Sequence, residues 1–219
     1  MPQPPALLML SGGIDSAFCM WQALSHGRRL HVHHINLDTA EGRMTVEKRA
    51  TQRILEWHRA RGLTNFTYTE STIRLSRALR TPYDRTWYST MAGVVFITER
   101  GLKHLIHPRH KDGLYVRSGQ SVEAKAKRAD MEIRGHIELV CGRTPVIEMP
   151  ILHMTKAEII QATPRDLLQR TWYCRRPHGG GINALPCHRT HVSRARWCPA
   201  CRQVAPVLAQ LQRTRGRAA

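Results

Sequence analysis

The sequence predicts an α/β fold, a parallel five-stranded sheet with helices on both faces, followed by a small C-terminal appendage. Apolar, strand-like runs alternate with stretches of helical spacing up to about residue 163, an order typical of a parallel sheet. Beyond that point proline, glycine, cysteine and arginine dominate. The 219 residues suffice for one sizeable core plus an appendage, but hardly for two full domains. We therefore predict an α/β domain over residues 1–163 and a basic, cysteine-containing region over residues 164–219.

The first half of the predicted domain has clear boundary signals. An apolar run predicts a strand at Ala6–Leu10, and a helix is expected at about Asp15–Leu24, ending at a glycine turn. Alternating apolar residues and histidines predict a second strand at Leu30–Asp38. Helical spacing over Met44–Arg61 stops at a glycine, and β-branched and aromatic residues predict a third strand at Asn65–Ser71.

The second half continues the alternation. A polar loop is expected over Thr81–Thr90, a helix over Met91–Glu99 and a strand over Lys103–Pro108. A long helix is predicted at Ser121–Leu139 and a fifth strand at Pro145–Ile151. Thr155 then resembles an N-cap with Glu158 three residues on, as in a capping box, and starts another helix. The last residues, 212–219, are expected to form a disordered tail.

The stretch MLSGGIDSAFCM (residues 9–20) contains the turn from the first strand to the first helix. Such a turn offers unpaired backbone N–H groups and the positive end of a helix dipole, which together bind phosphate. Gly12 and Gly13 allow a tight turn, Ser11 and Ser16 add hydroxyl groups, and Asp15 could hold Mg²⁺. An ordinary strand-to-helix turn is the alternative interpretation. The turn is neither a GxxxxGK[ST] loop nor a GxGxxG fingerprint.

Charge is unevenly distributed along the chain. The net charge is +18, and ten arginines but no acidic residue follow Asp166. This indicates an anionic partner such as a nucleotide, RNA or DNA, or alternatively an arginine-rich solvated surface. No apolar stretch is long enough to span a membrane, and no signal peptide is recognisable. We therefore expect a soluble, cytoplasmic protein without a membrane partner.

Four of the six cysteines lie within 28 residues, Cys174, Cys187, Cys198 and Cys201. A C-x-x-C pair with two further thiolates supplies the tetrahedral ligand set of structural Zn²⁺. His188 or His191 could replace one cysteine, and an iron–sulfur cluster is an alternative occupant.

The histidines of the second strand, His31, His33 and His34, could reach the edge of a site or serve as core or surface residues. Ligands bind at the carboxyl ends of parallel strands, so the loop after the fourth strand is also expected to contact substrate.

The string SGGIDSA (residues 11–17) resembles the SGGxDS loop of the PP-loop ATP pyrophosphatases, which have an adenine nucleotide alpha hydrolase-like, Rossmann-like fold. The resemblance implies that ATP is split between its α and β phosphates with Mg²⁺. It also implies that Leu10, Ser11, Gly12, Gly13, Asp15 and Ser16 bind the nucleotide, with Asp15 and Ser16 in catalytic roles.

The C-terminal part resembles the 7-cyano-7-deazaguanine synthase family of the queuosine pathway. The resemblance rests on Pro150, Thr155, Lys156, Glu158, Ile159, Thr171, Trp172, Arg202 and the four clustered cysteines. It implies that ATP adenylates the carboxylate of 7-carboxy-7-deazaguanine and that ammonia gives the amide, which a second adenylation converts to the nitrile. It further implies a catalytic, ATP-contacting Lys156, an ATP- or substrate-contacting Arg85, and a homodimer.

The chain departs from that family at three places. Thr86 replaces the asparagine that follows the family's arginine, the loop after the fourth strand differs, and ten residues separate Cys187 from Cys198. Two alternatives therefore stay open. One is a PP-loop tRNA thiolation enzyme that uses the basic C-terminal third as an RNA platform. The other is a nucleic-acid-binding zinc module on a degenerate PP-loop core.

Overall fold

A computed structural model describes residues 3–39, 41–75, 84–113, 121–179 and 181–215. Five strands form one sheet in the order β3-β2-β1-β4-β5, and every neighbouring pair is parallel. This is the strand order of the Rossmann fold over its first five strands. The predicted fold class, a parallel five-stranded sheet with helices on both faces, is confirmed.

The elements alternate along the chain as the sequence indicates. The strands are β1 (Ala6–Met9), β2 (Leu30–Asp38), β3 (Phe66–Arg74), β4 (His104–Ile106) and β5 (Val146–Glu148). The helices are α1 (Ile14–Ser25), α2 (Met44–Arg59), α3 (Asp84–Thr98), α4 (Val122–Cys141), α5 (Lys156–Ala162), α6 (Arg165–Leu168), α7 (Cys187–Thr190) and α8 (Pro199–Arg215). Short 3-10 turns lie at Lys111–Gly113, Gly181–Asn183 and Arg194–Arg196.

Alternate side chains of β1 enter two separate cores, because successive residues of a strand point to opposite faces of the sheet. Ala6 and Leu8 pack with α1, α2, α5 and α8 in one core. Leu7 and Met9 pack with α3 and α4 in the other. Each of these four residues is at most 4% exposed, so β1 is covered on both faces, as its uninterrupted apolar run requires.

The first strand also fixes where a ligand can bind. It lies in the middle of the sheet, with β2 on one side and β4 on the other. After β1 the chain crosses to β2, and after β4 it crosses to β5 on the other side of the sheet. The crevice beyond the carboxyl ends of β1 and β4 is the usual ligand site of such a fold. The SGGIDSA turn leaves β1 at this crevice.

Two local predictions were wrong. The polar stretch expected to be a loop up to Thr90 is helical from Asp84, because Tyr88 and Met91 pack on the core formed with α4. Residues 212–215 of the expected disordered tail belong to α8. Their helix is held by packing, since Val204, Val207, Leu208 and Leu211 recur at helical spacing against the larger core.

Helix α8 thus joins the C-terminal region to the core of the sheet. Val204 is 1% exposed and belongs to the same core as Leu8. The division at residue 163 stays a prediction. Within the described ranges, no helix combines the length and the apolar character needed to cross a membrane.

Candidate active site and metal centre

The turn between β1 and α1 is built around Gly12. Its φ is +76°, a left-handed conformation that L side chains rarely adopt. A Cβ at this position would lie 2.7 Å from the backbone carbonyl of Glu47 on α2. The carbonyl oxygen of Gly12 accepts a hydrogen bond from the N–H of Trp172 at 2.8 Å. Gly12 is therefore clamped between α2 and the segment before Cys174.

The first turn of α1 follows directly. Gly13 is its N-cap, and no side chain caps the helix. The N–H groups of the first turn have no partner within the helix, so they are available to an anion. The Ser11 and Ser16 hydroxyl oxygens lie 3.1 Å apart, and the Ser11 hydroxyl also accepts from the N–H of Gly13. The two serines thus hold the turn in shape while Ser11 stays exposed to solvent.

Asp15 and Lys156 meet at the mouth of this turn. The Lys156 ammonium donates a hydrogen bond to the carboxylate of Asp15, although 141 positions separate the two residues. Lys156 is 9% exposed, so its charge is largely removed from water. The Nε2 atom of His110 lies 3.7 Å from the second Asp15 oxygen. Burial lowers the pKa of His110, which therefore favours its neutral form despite the carboxylate.

Local structure explains how Lys156 reaches this point. Thr155 and Glu158 form a complete capping box, which starts α5 at Lys156. The Lys156 N–H donates to the carboxylate of Asp112 at 2.7 Å, and the Lys111 N–H donates to the Met154 carbonyl at 3.0 Å. These two hydrogen bonds join the loop after β4 to the start of α5, and they place His110 near Asp15.

A cavity of about 350 Å³ opens beside the turn. It lies within the size range of small-molecule sites. His33 forms part of its wall and is 4% exposed, and its Nε2 atom has no hydrogen-bond partner among the described residues. Burial, together with the neighbouring His31 and His34, lowers the pKa of His33 to about 4. Neutral His33 is therefore a polar group available to a bound ligand.

The four predicted metal ligands converge. The sulfur atoms of Cys174, Cys187, Cys198 and Cys201 all lie within 4.8 Å of one another, and each residue is at most 1% exposed. Sulfur atoms bound to one Zn²⁺ lie about 3.8 Å apart, given Zn–S bonds of about 2.3 Å. The cluster could hold such an ion with little movement. His188 and His191 do not belong to it, because the four cysteines already form a complete set.

Backbone N–H groups point at these sulfurs. The N–H of Cys187 donates to Cys174 Sγ and that of Cys198 to Cys187 Sγ, both at 3.2 Å, and those of Arg175 and Arg176 donate to cluster sulfurs at 3.4 Å. Such donors stabilise thiolates, the form that binds metal. Hydrogen bonds among the sulfurs lower the pKa of Cys198 and raise the pKa of Cys174 and of Cys201. The donor set fits a metal such as Zn²⁺, and four buried thiolates leave no open coordination position for catalysis.

The cysteine cluster and the turn are neighbours in space. The Trp172 indole N–H donates to the Cys174 carbonyl at 2.7 Å, while the Trp172 backbone N–H holds Gly12. Trp172, Tyr173 and Arg175, which flank Cys174 in the sequence, line the cavity. Ala200, Gln203 and Val204 of α8, which flank Cys201, also line it. The segments that carry the cluster cysteines therefore form one wall of the cavity.

Most of the residues predicted for the site meet here. The cavity lining includes Leu10, Ser11, Gly13, Asp15, Ser16 and Lys156. Gly12 lies behind the turn, where it contacts α2. Arg85 belongs to the first turn of α3, but its side chain lies outside the described part of the structure. His33 and His34 line the cavity, whereas His31 pairs with Thr69 at 2.9 Å on β3.

Several residues of the cavity wall were not predicted from the sequence. Arg43 is 7% exposed and is held by Glu41 and Glu47 at 2.7 and 2.9 Å. Its position shortly after the carboxyl end of β2 could have indicated a place in the site, because ligands bind at that end of parallel strands. Tyr88 lay in the segment expected to be a loop, and its hydroxyl lies 3.0 Å from His107 Nδ1. Gln203 gave no signal, because only the packing of α8 brings it to the cavity.

Comparisons with known proteins give fold-level similarities. No protein-family model matches the chain, and no curated protein matches it. Among solved structures, the NMN synthetase from Francisella tularensis is 13% identical with a TM-score of 0.44, over 82% of this chain and 70% of that one. A 4-thiouridine synthetase, solved in complex with RNA and with bound ATP, is 17% identical with a TM-score of 0.46. That match covers 94% of this chain but only about half, 52%, of the other. Both scores lie below 0.5, so the function of this chain is inferred from its own residues.

Proposed function

We propose that this protein is an ATP-dependent synthase that adenylates a carboxylate and releases pyrophosphate. One observation carries the proposal. The uncapped first turn of α1, the Ser11 and Ser16 hydroxyl groups and the buried Lys156 ammonium converge beside one cavity, and a carboxylate, Asp15, lies among them. Backbone N–H groups and an ammonium bind phosphate oxygens, and a carboxylate is a Mg²⁺ ligand.

Each of these groups has a role in pyrophosphate release. The substrate carboxylate attacks the α-phosphorus of ATP, and the bond to the β-phosphate oxygen breaks. Negative charge then builds on the leaving pyrophosphate, where the N–H groups of α1 and Lys156 stabilise it. Asp15 orients Lys156 before ATP binds, and we propose that it holds Mg²⁺ afterwards. The chemistry requires positioning and charge neutralisation rather than an acid–base pair.

The substrate we propose is 7-carboxy-7-deazaguanine, with ammonia as the nitrogen donor. The support is the sequence resemblance described above. Several residues that carry it lie close to the cavity: Lys156 contacts Asp15, Trp172 contacts Gly12, and the four cysteines lie behind the cavity wall. Ammonia attacks the acyl carbon and AMP leaves, which gives the amide. A second ATP activates the amide oxygen, and loss of a proton and AMP gives the nitrile.

The experiment is incubation with ATP, Mg²⁺, ammonium and 7-carboxy-7-deazaguanine, followed by mass spectrometry of the base and measurement of AMP and pyrophosphate. We expect amide or nitrile together with AMP. AMP and pyrophosphate without a changed base would reject this substrate but keep the class of reaction. No pyrophosphate with any carboxylate tested, from protein that holds its metal, would reject both. Asp15→Ala is the inactive control, and exposed Asp38→Ala at the end of β2 is the matched carboxylate control.

The thiolation alternative predicts a sulfur-carrying cysteine at the cavity. All six cysteines of the chain lie in described residues, and none of them lines the cavity. The four clustered thiols are buried, Cys19 is 1% exposed within the core, and Cys141 is at the end of α4. These positions favour the synthase. One colourless zinc per chain would agree with this, whereas a brown, oxygen-sensitive cluster would favour thiolation.

A further inference from the structure

The region around the cysteine cluster carries a concentration of positive charge that the proposed synthase does not use. The segment after Asp166 is about a quarter of the chain, yet its ten arginines supply +10 of the net charge of +18. Small-molecule chemistry in the cavity needs only a few of these charges. The rest call for a separate explanation.

The fold gathers these arginines around the four sulfurs. Arg175 and Arg176 follow Cys174 and donate backbone hydrogen bonds to cluster sulfurs. Arg189 lies on α7, two residues after Cys187, and Arg202 follows Cys201 on α8. The Arg194 side chain donates to the Arg202 carbonyl at 3.3 Å, and the Arg202 side chain donates to the Ala195 carbonyl at 2.6 Å. The 3-10 turn Arg194–Arg196 is thereby packed on the start of α8.

These arginines lie in a segment that contains no acidic residue, because all sixteen Asp and Glu residues of the chain lie at or before Asp166. In the described part of the α/β domain, Arg28, Arg43, Arg61, Arg128 and Arg134 each form an ion pair with Asp or Glu, whereas Arg29 and Arg100 form none with a described residue. Arg176, Arg189, Arg194, Arg196 and Arg202 are exposed and form no such ion pair with any described residue. Gathering like charges disfavours the folded state unless an anion compensates them. This distribution is expected of a surface that binds a polyanion.

Aromatic and imidazole rings lie among the arginines. Tyr173 stacks on His188 at 5.9 Å between ring centroids with 20° between the planes, and His188 meets the edge of Trp197 at 5.7 Å. All three residues are half-buried. Basic side chains interleaved with partly exposed rings are typical of surfaces that bind single-stranded nucleic acid, because phosphates pair with arginine and bases stack on rings.

The basic surface continues into the cavity. Tyr173 and Arg175 belong both to this region and to the cavity wall, next to the anion-binding turn at Ser11. A strand that followed the arginines would therefore pass the mouth of the cavity. We propose that the basic module around the cysteine cluster (residues 172–202) binds single-stranded nucleic acid along the exposed arginines 176, 189, 194, 196 and 202. This site is additional to the proposed synthase site and does not depend on it.

The test uses the full-length, metal-loaded protein without ATP and a fluorescently labelled 20-nucleotide strand, in RNA and DNA versions of one sequence. Fluorescence anisotropy measures the Kd over a series of salt concentrations. The module variant is R176Q/R189Q/R194Q/R196Q. The matched control is R29Q/R100Q/K103Q/R128Q, which removes the same charge from exposed positions; Arg29, Arg100 and Lys103 lie before β2 and β4, at the opposite ends of the strands from the cavity.

We expect the module variant to raise the Kd at least about tenfold and to reduce the salt dependence, by about 0.7 in slope for each lost phosphate contact. The control variant should change the Kd by less than about threefold. Equal losses in both variants would show that only the net charge matters and would overturn the proposal, as would the absence of binding by wild type. Tighter binding of the RNA or of the DNA strand identifies which of the two the module uses.

Zinc content and thermal melting show that each variant is folded. AMP and pyrophosphate release is measured separately, so a failed synthase assay leaves the nucleic-acid test intact. Conversely, lost nucleic-acid binding with retained pyrophosphate release supports two separate sites.

Discussion

The turn between β1 and α1 depends on a single residue, Gly12. Its positive φ disfavours any side chain, and a Cβ would collide with the Glu47 carbonyl, a backbone atom that cannot turn aside. Gly27 has nearly the same φ, +73°, but nothing lies within 4 Å of a Cβ there. The two positions therefore separate backbone strain from steric conflict.

We expect Gly27→Ala to lower the free energy of unfolding by about 1 to 2 kcal/mol, the cost of a left-handed alanine. Gly12→Ala should cost at least about 1 kcal/mol more, because α2 or the turn must move. It should also weaken nucleotide binding, which Gly27→Ala should not. Urea denaturation and titration with a fluorescent ATP analogue measure both effects. Equal destabilisation by the two substitutions would contradict the packing argument.

Lys156 is the second residue with a decisive position. Removing a group that stabilises charge in the transition state lowers kcat by roughly 10² to 10³-fold. We expect Lys156→Met to reduce pyrophosphate release by about that factor, and Lys156→Arg to restore part of it. Lys103→Met, at an exposed position before β4, is the matched control and should retain wild-type activity. Unchanged kcat in Lys156→Met would remove this lysine from the reaction.

At the scale of elements, the cysteine cluster supports the cavity wall. Trp172 connects them, since its backbone N–H binds Gly12 and its indole binds the Cys174 carbonyl. Helix α8 begins between Cys198 and Cys201 and contributes Gln203 to the cavity. A bound metal would hold both parts of the wall at once.

We therefore expect metal removal by a strong chelator to lower the Tm and to weaken binding of an ATP analogue, although no cysteine lines the cavity. Restoring Zn²⁺ should reverse both changes. Trp172→Phe should weaken nucleotide binding while zinc content stays at wild-type level, because it removes the indole hydrogen bond but no metal ligand. Full nucleotide affinity in the metal-free protein would show that the cluster does not support the cavity.

The whole molecule should lose stability in mild acid. Burial lowers the pKa of His31, His34 and His58, and that of His33 falls to about 4 from 6.5. Between pH 4 and pH 6.5, His33 is protonated in the unfolded chain but neutral in the folded protein. The free energy of unfolding must therefore fall as the pH decreases from 6.5 to 4.

His33 alone accounts for up to about 3 kcal/mol of this change. Denaturation curves at a series of pH values measure it, and His33→Gln should flatten the slope in this window. Loss of metal in acid affects wild type and variant alike, so the difference between their curves isolates the histidine. A variant whose slope equals that of wild type would contradict the assignment.

Local chemistry explains which features could be predicted from the sequence alone. The alternation of apolar runs with helical spacing requires a parallel sheet, because each such strand must be covered on both faces. The SGGIDSA turn and the four cysteines could also be recognised, since backbone conformation and metal-ligand chemistry need particular residue types at short spacing. The helical conformation of residues 84–90 could not be recognised, because it depends on the packing of Tyr88 rather than on the helix propensity of the segment.

The contacts between distant residues became known from the folded chain. Lys156 reaches Asp15 across 141 positions because β1 lies in the middle of the sheet and α5 packs beside α1. The Trp172 N–H donates to the Gly12 carbonyl, and α8 lines the cavity, because the C-terminal region packs on the same core as β1. Such contacts depend on strand order and helix packing, which no short stretch of sequence encodes. The sequence determined the chemical groups, and the fold determined which of them share a site.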